Sequence, residues 1–239
     1  MANVNKVVYG GKTLIDLSSD TVNENVLLYG YTAHNKAGEF IVGSATTGGS
    51  GFEDEIIMRT LAEYNNDRIS LIGSYAFAYC ESLTGVYCSS VTDICDNAFM
   101  NASYLQTVSF TSVINIGADA FSYCYSLEDI NLPIVKNIGY DAFENCSALQ
   151  KIDLPVVEHI DSYAFYGCSS LDTVIIRNVD NVCELSNIDA FEGTIIANSE
   201  DEGYIYVPSS LVEQYKVASE WESLAHKFRA IEDYPEITE

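Results

Sequence analysis

Apolar residues recur along the middle of this chain at a spacing that belongs to neither a helix nor a strand. The dipeptide Ala-Phe stands at Ala76-Phe77, Ala98-Phe99, Ala120-Phe121, Ala142-Phe143 and Ala164-Phe165, a period of 22 residues. Each unit opens on an isoleucine (Ile72, Ile94, Ile116, Ile138, Ile160). Further apolar columns hold Leu83, Leu105, Leu127, Leu149 and Leu171, then Val86, Val108, Ile130, Ile152 and Val174, then Val91, Val113, Val135, Val157 and Val179. Such a short unit cannot bury this many apolar side chains alone, so each coil needs its neighbours and the chain is a stacked solenoid. Around Ile130 and Leu132 the apolar residues alternate with Asp129 and Asn131. That period of two predicts one short strand per coil, with all of them joined in a parallel sheet down one side.

The unit I-x-x-x-A-F-x-x-C-x-x-L-x-x-I-x-L-P-x-V resembles the BspA-like (Treponema pallidum type) leucine-rich repeat over residues 69–193. The resemblance implies an α/β solenoid with a parallel sheet and a non-enzymatic role in adhesion or protein binding. A sixth Ala190-Phe191 follows the fifth after 26 residues, which places a four-residue insertion in the last coil.

The ends read differently. Residues 52–65 place Ile56, Ile57, Leu61 and Tyr64 at helical spacing behind acidic residues, which predicts a short helix over the first coil and a solenoid spanning 52–199. Residues 200–239 form a terminal cap. GYIYVP (203–208) is a last strand, Ser209 opens a helix, and Ser219 with Glu222 offers a capping box for a second. Leu211, Tyr215, Ala218, Trp221, Leu224 and Phe228 give it an apolar stripe. Towards the N-terminus, VVYGGKTLIDL predicts a hairpin turning at Gly10-Gly11. A helix between Thr21 and Gly30 and a strand over Glu39–Ala45 follow, and TTGGSG (46–51) is a flexible linker. GGKTLIDL, DTV and GYTAHNKAGEFIVG give residues 1–45 a resemblance to structural and tail-associated proteins of bacteriophages. It implies a virion protein, assembled in the bacterial cytoplasm, that is anchored through this segment to other virion proteins or as a homo-oligomer. The solenoid would then face a host surface protein or glycan. The alternative is a bacterial surface adhesin.

Composition narrows the partners. Eleven basic against 35 acidic residues give a net charge of −24, so nucleic acid and anionic membranes are excluded as partners. No uncharged apolar run is long enough to span a bilayer, and residues 1–20 lack the apolar core of a secretory leader. Seven cysteines without CxxC spacing predict reduced thiols. Cys80, Cys124, Cys146 and Cys168 share one column with Ala102, and Phe77, Phe99, Phe121, Phe143 and Phe165 share another. Stacked coils hold equivalent atoms ~4.8 Å apart, too far for a disulfide, and a straight column cannot surround zinc, so both columns are core ladders. Cys95 occupies a slot that suits a tight turn, and Cys183, in the insertion, is expected to be partly exposed.

Catalytic, metal and cofactor sites find no support. His159 lies between Glu158 and Asp161, but its equivalents are Leu71, Asp93, Asn115 and Asn137, a tolerant turn position; His34 falls in a turn and His226 on the last helix. Gly11-Lys12-Thr13 lacks the first glycine of a phosphate loop, and the acidic runs 53–55 and 200–202 lack the alternation of a calcium loop. What varies from coil to coil is the outward face of the predicted strands. Its candidate recognition residues are Tyr87, Thr107, Ser109, Asp129, Asn131, Lys151, Asp153 and Thr173, with Ile175 in the same column as Asp153. Tyr75, Tyr79, Tyr104, Tyr123, Tyr125, Tyr140, Tyr163 and Tyr166 lie elsewhere on the coils and offer contact area at low entropic cost.

Overall fold

The rings of Phe77, Phe99, Phe121, Phe143, Phe165 and Phe191 stack along the axis of the molecule with centroids 5.0–5.5 Å apart and all six fully buried. This spacing is close to the ~4.8 Å between paired strands, because every coil is hydrogen-bonded to the next beside the ring. The Phe121 amide donates to the Ala142 carbonyl at 2.7 Å, and Phe143 to Ala164 at 2.8 Å. A computed structural model describes residues 62–67 and 69–237 in full, and the backbone of residues 6–9, 12–16, 32–34, 40–42 and 238.

Each coil carries two strands, one more than the hydrophobic alternation predicts. The long strands Glu63–Asn65, Gly85–Tyr87, Thr107–Ser109 and Asp129–Asn131 pair in parallel and in register. Lys151–Leu154, Thr173–Ile176, Tyr204–Val207 and Phe228–Ala230 form a second parallel group. No ladder pairing joins the two groups, so the long-strand sheet is split between Asp129–Asn131 and Lys151–Leu154. The extra strands are two residues each: Leu71–Ile72, Asp93–Ile94, Asn115–Ile116, Asn137–Ile138, His159–Ile160 and Glu184–Leu185. They form one continuous six-stranded parallel sheet on another side of the coil. Two residues are too few to show a periodicity, yet the pattern is regular: the second residue is buried in every strand.

Turns on either side of the phenylalanine use the left-handed region twice per coil. Tyr75, Asn97, Asp119, Asp141 and Tyr163 form one positive-φ column, and Tyr79, Asn101, Tyr123, Asn145 and Gly167 the other. The Cys95 slot belongs to neither. Its small residues answer instead to close stacking: a Cβ at Gly139 would lie 2.9 Å from the Gly117 carbonyl carbon.

The insertion shifts the register in two steps. Glu184 pairs with His159, three residues beyond the regular period, and the Ala190 carbonyl accepts from Phe165, one residue further. Val179 therefore leaves the valine column and is 65% exposed, while Val182 packs against the core in its place. Cys183 is buried, contrary to its expected exposure. The Tyr215 hydroxyl accepts from its amide at 2.8 Å and the Trp221 indole donates to its carbonyl at 2.8 Å, so the terminal cap clamps the insertion.

The cap buries its apolar stripe: Trp221 continues the aromatic stack from Phe191 at 5.7 Å. It does so with less helix than expected. One helical turn covers Val212–Tyr215, a 3-10 segment covers Glu222–Lys227, and Phe228 starts a strand. Neither helix has a side-chain cap, and the Ser219 hydroxyl points to Glu220 instead of closing a box with Glu222. At the other end Tyr64 belongs to a strand, not a helix, while residues 52–61 lie outside the described ones. The N-terminal hairpin pairs Lys6–Tyr9 with Lys12–Asp16, and a second antiparallel pair joins Thr32–His34 to Phe40–Val42. His34 thus ends a strand. The expected helix over 21–30 and the linker lie outside the described residues.

Candidate functional site

The outward residues of the long strands converge on a cleft of about 920 Å³. Tyr87, Thr107, Ser109, Asp129, Asn131, Lys151 and Asp153 line it, joined by Glu128, Ala148 and Gln150, and Val108 and Ile130 form its floor. Seven of the eight expected residues therefore meet in one place, because a parallel in-register sheet stacks equivalent side chains. The cleft sits over the split, where Ile130 is 8% exposed while Val108 and Ile152 on either side are at 0% and 1%. The Tyr87 ring lies over Gly85, whose missing Cβ leaves room for it: a Cβ there would sit 2.9 Å from the ring.

Beyond Lys151 the chain itself occupies this face. The Lys151 ammonium donates to the Ile237 carbonyl at 2.6 Å, and Tyr234 packs edge-on against Tyr206 at 5.3 Å. The segment between those contacts crosses the strand Thr173–Ile176. Ile175, an outward position by sequence, is accordingly fully buried and Tyr206 is 7% exposed. Glu232 ties down the start of this strap by accepting from the Ser209 amide and hydroxyl at 2.9 and 3.0 Å. Asp153 is held by Arg177 in a two-pronged ion pair at 2.6–2.9 Å. Thr173 lies apart from the main cleft, beside a smaller hollow of about 410 Å³ lined by Asp172, Asp201, Glu202 and Tyr204.

The cysteine column serves the backbone. The Cys124, Cys146 and Cys168 thiols donate to the Phe99, Phe121 and Phe143 carbonyls at 3.0–3.2 Å. All seven cysteines are free. Burial pushes Cys80 and Cys88 up to about 11 and Cys183 to about 12, which keeps these thiols protonated and unreactive at neutral pH. Cys95 is less buried, and desolvation followed by Asp96 and Asp93 raises it as well.

His159 meets neither Glu158 nor Asp161 but Ser186 at 3.3 Å and Glu184 at 3.7 Å, an order that imitates a hydrolase triad. The Glu184 side chain is 79% exposed and beyond hydrogen-bond reach of the ring, so it cannot fix the imidazole as a triad carboxylate does. The contact continues a polar ladder on the short-strand sheet, in which Asn137 donates to Asn115 and Asn115 to Asp93, each at 2.7 Å.

One carboxylate cluster was not foreseen. Asp119, Asp141 and Glu144 bring oxygens within 4.8 Å of one another. Glu144 accepts from the Ser122 hydroxyl at 2.8 Å and from the Tyr123 hydroxyl at 3.1 Å. Desolvation, then Glu144, Asp119 and Asp189, push Asp141 up to about 6. Tyr140 and Tyr163 stand edge to face at 5.6 Å beside it, and Tyr166 follows at 5.6 Å. The signal was available: Asp119 and Asp141 share a column in adjacent coils.

Comparison with known proteins agrees with this architecture. The profile of the BspA type leucine rich repeat region matches six copies over residues 70–196. No curated protein matches the sequence. Among solved structures, a leucine rich cell surface protein from Faecalibacterium prausnitzii is similar at 25% identity and a TM-score of 0.56, over 75% of this chain and 47% of that one. Leucine-rich repeat proteins from Bacteroides ovatus (24% identity, TM-score 0.43, 71% and 54% coverage) and Eubacterium ventriosum (22%, 0.48, 72% and 50%) also match. The chain spans about half the length of each of these structures. With its repeats matched over more than half its length, and its coils built as the repeat requires, this chain belongs to the BspA-type leucine-rich repeat family.

Proposed function

We propose that this chain is a non-enzymatic recognition module of a bacterial cell-surface protein and that its binding surface is the outer face of the long-strand sheet. The observation that carries this reading is the convergence of Tyr87, Thr107, Ser109, Asp129, Asn131, Lys151 and Asp153 on one cleft while the inward columns of the same strands stay apolar and buried. Exposed Tyr79, Tyr104, Tyr125 and Tyr140 add contact area beyond the sheet. The similarity to a Faecalibacterium cell surface protein supports the location. No helix among the described residues is long and apolar enough to cross a membrane. Residues 1–45, which precede the repeats, are assigned the role of attachment.

The test is accessibility in the native cell. Protease added to intact cells should remove the chain. Full protection inside the cell contradicts the surface reading, and co-sedimentation with phage particles would replace it by virion attachment through residues 1–45, a reading that draws on the sequence of that segment alone.

A further inference from the structure

In the long-strand sheet, consecutive coils are joined by a repeated pair of backbone bonds at the strand entrance. Gln106 and Thr107 donate to Thr84, Glu128 and Asp129 donate to Gln106, and Asp172 and Thr173 donate to Gln150, at 2.9–3.2 Å. Within the regular 22-residue repeats the pair is missing at one step: neither Gln150 nor Lys151 donates its amide to Glu128. The exit bond is missing at the same step, since Phe110 donates to Asn131 while Leu132 has no such bond to Asp153. The coils have not come apart elsewhere, because Phe121 and Phe143 stay stacked at 5.2 Å and the short-strand sheet is continuous. The sheet is thus opened locally, on the face that forms the cleft, and at the strand entrance it presents two backbone donors and one carbonyl.

Three features identify what fits. Amide donors beside a carbonyl match the alternating groups of another polypeptide backbone. The same face already holds one polypeptide, the strap, through a carbonyl bonded to Lys151. The charge left without an ion-pair partner is negative on balance: Asp153 is neutralised by Arg177 and the Lys151 ammonium is committed to the Ile237 carbonyl, whereas Glu128 and Asp129 are exposed and have no cationic partner among the described residues.

Building on the recognition role above, we propose that the split is a docking slot for an extended polypeptide segment carrying a lysine or arginine. Its backbone engages Gln150, Lys151 and Glu128, its basic side chain meets Glu128 and Asp129, and an apolar side chain covers Ile130 and Ala148.

The probe is a displayed library of random 12-residue peptides, selected on the full chain. Selected peptides should be enriched in Lys or Arg and should slow exchange of the Gln150 and Lys151 amides. Their affinity should fall at least tenfold in Glu128→Lys and in Ala148→Tyr, and stay within twofold in Asp180→Lys, an equal charge change remote from the cleft. Ala148→Tyr places in this column the residue already present at Tyr104, so the fold tolerates it. A selection that yields no binder, binders without basic residues, or binding equal in Ala148→Tyr overturns the slot. Protease accessibility on intact cells reads the surface role separately, so either can fail without the other.

Discussion

The two sheets are built by the same coils, and one runs unbroken from Leu71–Ile72 to Glu184–Leu185 while the other parts between Asp129–Asn131 and Lys151–Leu154. The unbroken sheet has two-residue strands whose outward side chains bond to each other from coil to coil, as in the Asp93–Asn115–Asn137 ladder. The parted sheet has longer strands with outward residues that differ at every step and engage the strap, Arg177 or solvent. One side therefore carries the stacking order, together with the phenylalanine column, and the other is left able to open. A solenoid stabilised by nearest-neighbour contacts can lose three backbone bonds at one step without losing the fold, provided the remaining contacts at that step persist.

That division predicts where substitution is most costly. Phe143 bridges the split, stacked between Phe121 and Phe165 at 5.2 and 5.3 Å. Phe143→Ala should destabilise the chain by about 3–5 kcal/mol in chemical denaturation. A loss below about 1 kcal/mol would mean that the short-strand sheet alone holds the two halves.

Next in size is the C-terminal anchor of the split sheet. Lys227 is buried, and its ammonium donates to the carbonyls of Ser199 and Glu202, the latter at 2.6 Å. Burial lowers its pKa, so the bonds are made against a desolvation cost. Lys227→Met should cost about 1–3 kcal/mol by orphaning those carbonyls, and amide exchange should quicken first around residues 199–202. Uniform quickening across the coils would contradict this local role.

The smallest effect has the opposite sign. Asp141 titrates at about 6 in the folded chain against 3.8 ordinarily, so the folded state binds a proton more tightly than the unfolded one. Its contribution destabilises the protein above that pH, and the cost disappears as pH falls through 6 towards 4. Asp141→Asn, which suits the left-handed backbone there, should raise Tm at pH 7, and the advantage should vanish on acidification. A variant less stable than the wild type at pH 7 would show the cluster to be held together by something its mutual repulsion does not describe.

Much of the fold was legible because the repeat itself is the physics. A period of 22 with Phe143 and Cys146 in fixed columns specifies which side chains stack, and the burial of those columns follows from stacking alone. The cleft was legible for the same reason, since Asp129, Lys151 and their neighbours occupy outward positions of in-register strands. Illegible were features that depend on contacts across long separations or on small changes in coil angle. Glu128 and Gln150 look like Gln106 and Asp172 in sequence, and nothing in them marks the missing bonds. The strap is visible only once Ile237 is brought to Lys151, 86 residues away. Val179 was misplaced because the four inserted residues enter in two separate steps. Of the helical stripe expected over 52–65, Tyr64 instead continues the repeat, pairing in register with Val86 one period later, while Ile57 and Leu61 lie outside the described residues.

Amide hydrogen exchange of the free chain tests the split most directly. Gln150 and Lys151 should exchange at least ten times faster than their equivalents Gln106, Thr107, Asp172 and Thr173, whose amides are bonded to the preceding coil. Equal protection at all six amides would mean that the long-strand sheet is continuous in solution and that there is no slot to fill.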